Sequence, residues 1–378
     1  MHWVCEMQYN NQLSKSDILI NVNLVYLFFI PFIFIGKLVR WTFMRPVLVD
    51  RGIGFMYLEQ AFEARETMRE GTGLILGTFI TFFHQFGFTT FIQFEVLITI
   101  LWNIMVFLIL LNIKKYLTVM QAIFIALSII VLNIFAFTLS KEPFQMLYFI
   151  LVYFILCREQ MSYRVKFFLV SAVILFSAIT FRMYFFLIAY FMLGGQFCFA
   201  LIMHRKRMSL PLTLLLLLFI SAIGYFILFY IIPLVSPSYY EELLRVRQTV
   251  RGPQATSVIG PSTRVDSYFW LSVNYIVIMI RMLFPVELLR LGLRFWPYVF
   301  YQLVISGIFL KCLATLSESS KSQKLTTLVF FGFLATSTAF EPDFGSWIRH
   351  TSVLFPLFLI MAKIKLVDYK KLYIGCVK

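Results

Sequence analysis

The sequence predicts an all-α fold, a polytopic transmembrane bundle of about ten helices (ten to twelve), on three observations. Hydrophobic residues make up 61% of the 378, charged residues only 13%, and the mean hydropathy is +0.86. Soluble domains hold about 45–50% apolar and about 25% charged residues, and no soluble core could bury this much apolar surface. Second, long uninterrupted apolar runs recur along the chain, which excludes an alternating β-barrel pattern. Third, basic residues gather between those runs, as they do where Lys and Arg fix orientation across a bilayer. The net charge of +15 is explained in this way without invoking nucleic acid.

The candidate crossings lie at about 18–36, 91–112, 117–139, 144–157, 167–181, 183–203, 209–234, 295–316, 325–340 and 351–366. Several are shorter than the roughly 20 residues a spanning helix needs, so their ends must draw on flanking aromatic or polar residues. The first 17 residues are polar and lack the pattern of a cleavable leader, so the first run is expected to be a retained anchor. Cys5, Cys157, Cys198, Cys312 and Cys376 are scattered without CxxC spacing, and neither a metal nor a disulfide is expected.

Basic punctuation falls at Lys114–Lys115, at Arg158, Arg164 and Lys166, at Arg205–Lys206–Arg207, at Lys321 and Lys324, and in the tail from Lys363 to Lys378. Only Glu159, Glu318 and Asp368 oppose these charges, so all five regions are assigned to the cytoplasm. An even number of crossings must then separate Arg207 from Lys321. The runs 209–234 and 295–316 supply two, so 268–284 is expected to lie at the outer interface or to dip in and return. Asn274 and Arg281 inside it agree, because a central charge costs about 2.5–3.5 kcal/mol on insertion scales. The same parity, with 72–88 as an interfacial helix, puts both termini in the cytoplasm.

The chain is thus read as one integral membrane domain over 1–378. Residues 37–90 form a first outward loop with an interfacial helix, and 236–294 a large outward loop with the re-entrant segment. In the first loop Glu59, Glu63, Glu66 and Glu70 fall on one helical face beside Arg65 and Arg69. The second carries Arg245, Arg247, Arg251 and Arg264, an outward excess of arginine contrary to the usual bias. Arginine grips phosphate through a planar fork of donors, so this excess suits a lipid-linked diphosphate or anionic headgroups.

P-loop, GxGxxG, HExxH and GxSxG are all absent, so neither a nucleotide nor another cofactor is expected. What remains is a set of ionisable groups at or near the membrane: Glu95, Arg182, Arg281, Glu287, Glu341, Asp343, Arg349 and His350. The densest set lies in EPDFGSWIRHTSVLFP, from Glu341 to Pro356. Glu341, Asp343 and His350 each suit proton transfer, and Arg349 suits charge stabilisation. Asp343 also suits a helix cap, and Trp347 an interfacial anchor.

Three places resemble a family. The first is an early outward stretch from Leu38–Val39–Arg40 through VDRGIGFMYLEQAF and REGTGLILGTFITFFHQFGF, with Arg40, Asp50, Tyr57, Glu70 and Gly73. The second is the Phe181–Arg182 turn, and the third is the closing stretch with Gly345, Arg349 and Pro356. Together they resemble the Wzy-type O-antigen polymerases and the related EpsG-like proteins, bacterial membrane polymerases of polysaccharide repeat units. The resemblance implies transfer of an undecaprenyl-diphosphate-linked glycan onto the end sugar of another lipid-linked unit, at the outer face of the cytoplasmic (inner) membrane. It implies a glycosyltransferase with Glu341, Asp343, Arg349 and His350 as catalytic candidates. Arg182, Arg245, Arg247, Arg251 and Arg281 become substrate-binding candidates. The partners it implies are the lipid-linked glycan, membrane lipid and a chain-length regulator protein. A flippase of the same substrate is the alternative, although no internal repeat supports two related halves. A membrane acyltransferase would want a buried histidine, with His84 and His350 as the outward candidates.

Overall fold

The computed structural model describes residues 19–43, 72–113, 116–204, 209–235, 257–260, 267–341 and 343–364. Within them the fold is all-α, as expected, with one short strand pair, Leu19–Asn21 against Tyr116–Thr118. The helices are α1 (Val22–Leu27), α2 (Phe29–Thr42), α3 (Thr72–His84), α4 (Phe91–Leu110), α5 (Val119–Val131), α6 (Glu142–Cys157) and α7 (Tyr163–Thr180). They continue with α8 (Phe186–His204), α9 (Leu210–Val235), α10 (Tyr268–Leu283), α11 (Trp296–Ala314), α12 (Lys321–Phe340), α13 (Phe344–Ser352) and α14 (Phe355–Met361). Reciprocal side-chain caps set three starts: Thr90 with Gln93, Thr118 with Gln121 and Ser320 with Gln323.

Among the described residues six helical segments are long and apolar enough to cross a membrane, or seven if the bent pair α13–α14 counts as one. The remaining expected crossings are present as helices but are short, broken or polar, each for a visible reason. The first run breaks at Phe28, between α1 and α2. Helix α6 has 16 residues and α14 only seven. Helix α12 is long, but every residue from Leu325 to Ala339 is buried by other helices. A helix that touches no lipid needs no lipid-like surface, and α12 holds Thr326, Thr327, Thr336, Ser337 and Thr338 in its interior. By contrast the window Leu210–Ile231 of α9, 28% buried, has a hydropathy of 2.6.

Hydrogen bonds between helices sort the molecule into two ends. At one, the hydroxyl of Tyr26 donates to the carbonyl of Leu110 (2.9 Å), and Gln121 donates to that of Ala362 (2.9 Å). There too, Lys166 donates to the carbonyl of Leu156 and the hydroxyl of Ser322 (2.7 and 2.8 Å). This end gathers the residues flanking the basic punctuation. The opposite end gathers the close of α2, the start of α4, the close of α5, the start of α6, the turn before α8 and the close of α12.

Close approach holds that second end together. A Cβ on Gly36 would stand 2.7 Å from both the Asn133 Cβ and the Ile130 carbonyl, so α2 and α5 touch backbone to backbone. Gly332 does the same for α12 on α8, with the Ile188 carbonyl 2.5 Å from the absent Cβ. Helix α5 then loosens into a π-turn, Leu132–Ala136, followed by the buried segment 137–140. Irregular backbone at this depth survives only where protein satisfies it. Arg40 donates to the Ile134 carbonyl (2.9 Å) and the Thr138 hydroxyl (2.8 Å), and Lys37 donates to the Phe137 carbonyl (2.6 Å).

One expectation changes. Residues 37–42, expected to open the first outward loop, belong instead to α2, which ends at Thr42. The stretch 341–350 is mostly a buried helix, α13, bent by 70° from α14. Helix α10, 16 residues long, packs along α9 and α12.

Candidate functional site

His350 lies at the centre of the second end. Asp343 caps α13, its carboxylate accepting from the Ser346 backbone at 2.8 Å, and so fixes which way the helix presents its side chains. His350 then faces inward: its Nδ1 is 2.6 Å from Glu341 Oε1, and its Nε2 is 3.1 Å from Glu142 Oε1 and 3.0 Å from Arg182 Nη2. Glu341 closes α12, Glu142 opens α6 beside Pro143, and Arg182 sits in the turn between α7 and α8. Residues more than 200 apart in sequence thus meet on one imidazole ring. The two carboxylates occupy opposite nitrogens and do not converge. Among the described residues no group of three or more metal-binding side chains is placed to hold an ion.

A second layer surrounds this core. Arg182 is hydrogen-bonded to the Tyr184 hydroxyl and lies 3.7 Å from Glu341 Oε1, while the Tyr184 ring stacks on Phe340 at 4.6 Å. Arg349 is 4.0 Å from Glu142 and donates to Ser346 Oγ (3.2 Å), which donates to Asp343 (3.2 Å). Lys141 is partly buried beside Glu142, and among the described residues no carboxylate lies within 4.0 Å of its ammonium. Helix α13 packs on the π-turn of α5, and Arg349 is close enough to Arg40 for the two to repel. Arg40 and Lys37 share Glu95, at 2.7 and 3.3 Å.

Among the described residues the cations Lys37, Arg40, Lys141, Arg182 and Arg349 stand among four carboxylates, Glu95, Glu142, Glu341 and Asp343. Burial alone would raise the Glu341 carboxyl, but His350, Arg182 and Lys141 outweigh it and bring it down to about 2. Burial, and next the Arg182 guanidinium, bring Lys141 down to about 8 against the pull of Glu142 and Glu341. Glu142 Oε2 and both polar atoms of Gln145, one turn further along α6, are buried without a hydrogen-bond partner. The arrangement can hold an anion, donate and accept hydroxyl hydrogen bonds, and pass a proton through His350.

Of the sequence candidates, Arg182, Glu341, Arg349 and His350 converge here. Asp343 serves the capping bond. Arg281 stands apart, held by Glu287 (2.7 Å) and the Gly260 carbonyl (2.8 Å). Arg245, Arg247 and Arg251, like the helix face at Glu59–Glu70, lie outside the described residues. Trp347, expected as an interfacial anchor, is fully buried, donates to the Met282 carbonyl (3.0 Å) and stacks on Phe333. Sequence reasoning missed Glu142 as a site residue and Lys141 beside it. Their signal was a Lys–Glu–Pro turn between two apolar runs, with no polar loop to explain the charges. Comparison with protein-family models, with curated proteins and with solved structures finds no match.

Proposed function

We propose that this chain is a membrane glycosyltransferase that polymerises polyprenyl-diphosphate-linked oligosaccharide repeat units into surface polysaccharide. The reaction takes place at the outer face of the bacterial cytoplasmic membrane, and both termini are cytoplasmic. The observation that carries the reading is the set of cations gathered around His350, namely Arg182, Arg349 and Lys141, at the end of the bundle away from Lys166 and Lys324. A diphosphate leaving group develops negative charge as the sugar–oxygen bond breaks, and Arg182, Arg349 and Lys141 are placed to stabilise it. The acceptor hydroxyl must lose a proton as the new glycosidic bond forms. His350, oriented by Glu341, is the group that moves protons in this site. The unpartnered Glu142 Oε2 and Gln145 suit sugar hydroxyls. The donor carries its own activated bond, so no nucleotide is required.

A second reading, a flippase of the same lipid-linked unit, draws support from the π-turn at the close of α5 and the 70° bend between α13 and α14. Transporters place broken helices at their substrate sites. Deleting the gene in its host separates the two readings. Loss of long chains with single repeat units still exported supports the polymerase, and complete loss of exported units contradicts it in favour of the flippase.

A further inference from the structure

We infer that Ser346 is a positioning residue for Arg349: its hydroxyl aims the guanidinium, and Asp343 aims the hydroxyl. The inference rests on the reaction proposed above, in which Arg349 stabilises the departing diphosphate. Its basis is a chain of side chains at three-residue spacing, Asp343, Ser346 and Arg349, along one face of α13. Asp343 spends both carboxylate oxygens on Ser346. Oδ1 accepts from the backbone N–H at 2.8 Å, and Oδ2 accepts from the hydroxyl at 3.2 Å. A serine hydroxyl has one hydrogen and two lone pairs, and it rotates to suit its surroundings. With the hydrogen directed to Asp343, a lone pair is left for Arg349, whose Nη2 donates to Oγ at 3.2 Å.

Among the described residues this is the one hydrogen bond that Arg349 makes. The Glu142 oxygen is 4.0 Å from Nε, beyond hydrogen-bond reach. Arg182 differs, being tied to His350 and Tyr184 and lying 3.7 Å from Glu341. The Arg349 side chain is also the more accessible, 18% exposed against 7% for Arg182. It is therefore a guanidinium with donors to spare, held at a single point. Released from that point, it would be drawn onto Glu142 and its planar fork would turn, and small misplacements of this kind are costly in rate. The anchor itself is well fixed. Phe344 N–H donates to the Ser257 carbonyl at 3.0 Å, and Gly345 leaves Asp343 its place, since a Cβ there would stand 2.9 Å from Oδ1. Ser346 is buried and so acts on substrate through Arg349. Because the cap bond belongs to its backbone, Ser346→Ala removes the hydroxyl and keeps the cap.

The test measures initial polymerisation rates for the purified full chain in liposomes, over a range of lipid-linked repeat-unit concentrations. Ser346→Ala is expected to lower kcat about 10–10²-fold, with KM changed less than about threefold and Tm unchanged. Arg349→Lys puts a point charge in place of the fork, and in that background the same Ser346→Ala change is expected to cost less than about threefold. An unchanged kcat in Ser346→Ala, a rise in KM alone, or an equal loss in both backgrounds overturns the positioning role and leaves the polymerase standing. A wild type that makes no polymer overturns both.

Discussion

At the scale of single residues, the two arginines on the shared carboxylates are expected to behave differently. Arg182 is buried between His350, Glu341 and Tyr184, so Arg182→Ala leaves Glu341 short of a partner and should cost about 3–5 kcal/mol of stability as well as activity. Arg349 is partly exposed and 4.0 Å from its carboxylate. Arg349→Ala should lower the polymerisation rate about 10²–10³-fold with little change in Tm, read from chain length and thermal unfolding at matched protein level. Lys141, brought down to about 8, loses its charge as pH rises through that value. Binding of a diphosphate should weaken across that range in the wild type and less in Lys141→Arg. Glu341 has a folded value of about 2 against 4.5 for the free side chain. The stability it lends is present in full above pH 4.5 and is lost as pH falls toward 2. Melting curves from pH 5 to 3 should decline less steeply for Glu341→Gln than for the wild type, and parallel curves would refute this.

At this scale the sequence was half legible. Arg182, Glu341, Arg349 and His350 declared themselves, because charge beside long apolar runs needs a reason. Glu142 did not, since a charge at a turn is ordinary, and only the return of α13 some two hundred residues later brings a histidine onto it. Glu95, one of the ionisable groups near the membrane, gave no sign of its partners, which the fold supplies as Arg40 and Lys37.

At the scale of elements, glycine contacts set how closely helices approach and hence where the cluster's cations stand. Gly332→Ala drives a methyl into the Ile188 carbonyl, which cannot yield as a side chain could, and Gly36→Ala meets Asn133 and the Ile130 carbonyl. Each should cost about 1–3 kcal/mol. Gly36→Ala should also weaken diphosphate binding, because α2 carries Arg40 and Lys37. Gly307, in the middle of α11, has nothing within 4 Å of a built Cβ, and Gly307→Ala should be neutral or gain up to about 1 kcal/mol. Thermal unfolding of the three variants in one detergent orders them, and an equal loss in all three contradicts the packing account. Helices that face lipid were readable from hydropathy alone. The buried α12 still showed as an apolar run at 325–340, but α13 did not show as a helix, because one walled in by protein can carry serine and ionic groups, which blurs its outline in the sequence.

At the scale of the whole molecule, the described residues that carry or flank the basic punctuation and the polar cluster lie at opposite ends, and the positive-inside rule assigns the two ends opposite sides of the membrane. Reporters inserted at Asn112 or fused after Ile364 should therefore report the cytoplasm, and one inserted at Thr138 the outside. Matching signals at Asn112 and Thr138 would contradict the alternation on which the outward site depends. On the function proposed above, such a site acts on substrate delivered from within the bilayer, and Arg182, Arg349 and Lys141 give a lipid-linked diphosphate a place to bind. The most direct measurement puts purified chain into liposomes with lipid-linked repeat units and follows product size. A ladder of lengthening chains, shortened or lost in Arg349→Ala, is the result expected of a polymerase. Repeat units that cross the bilayer without lengthening would contradict it.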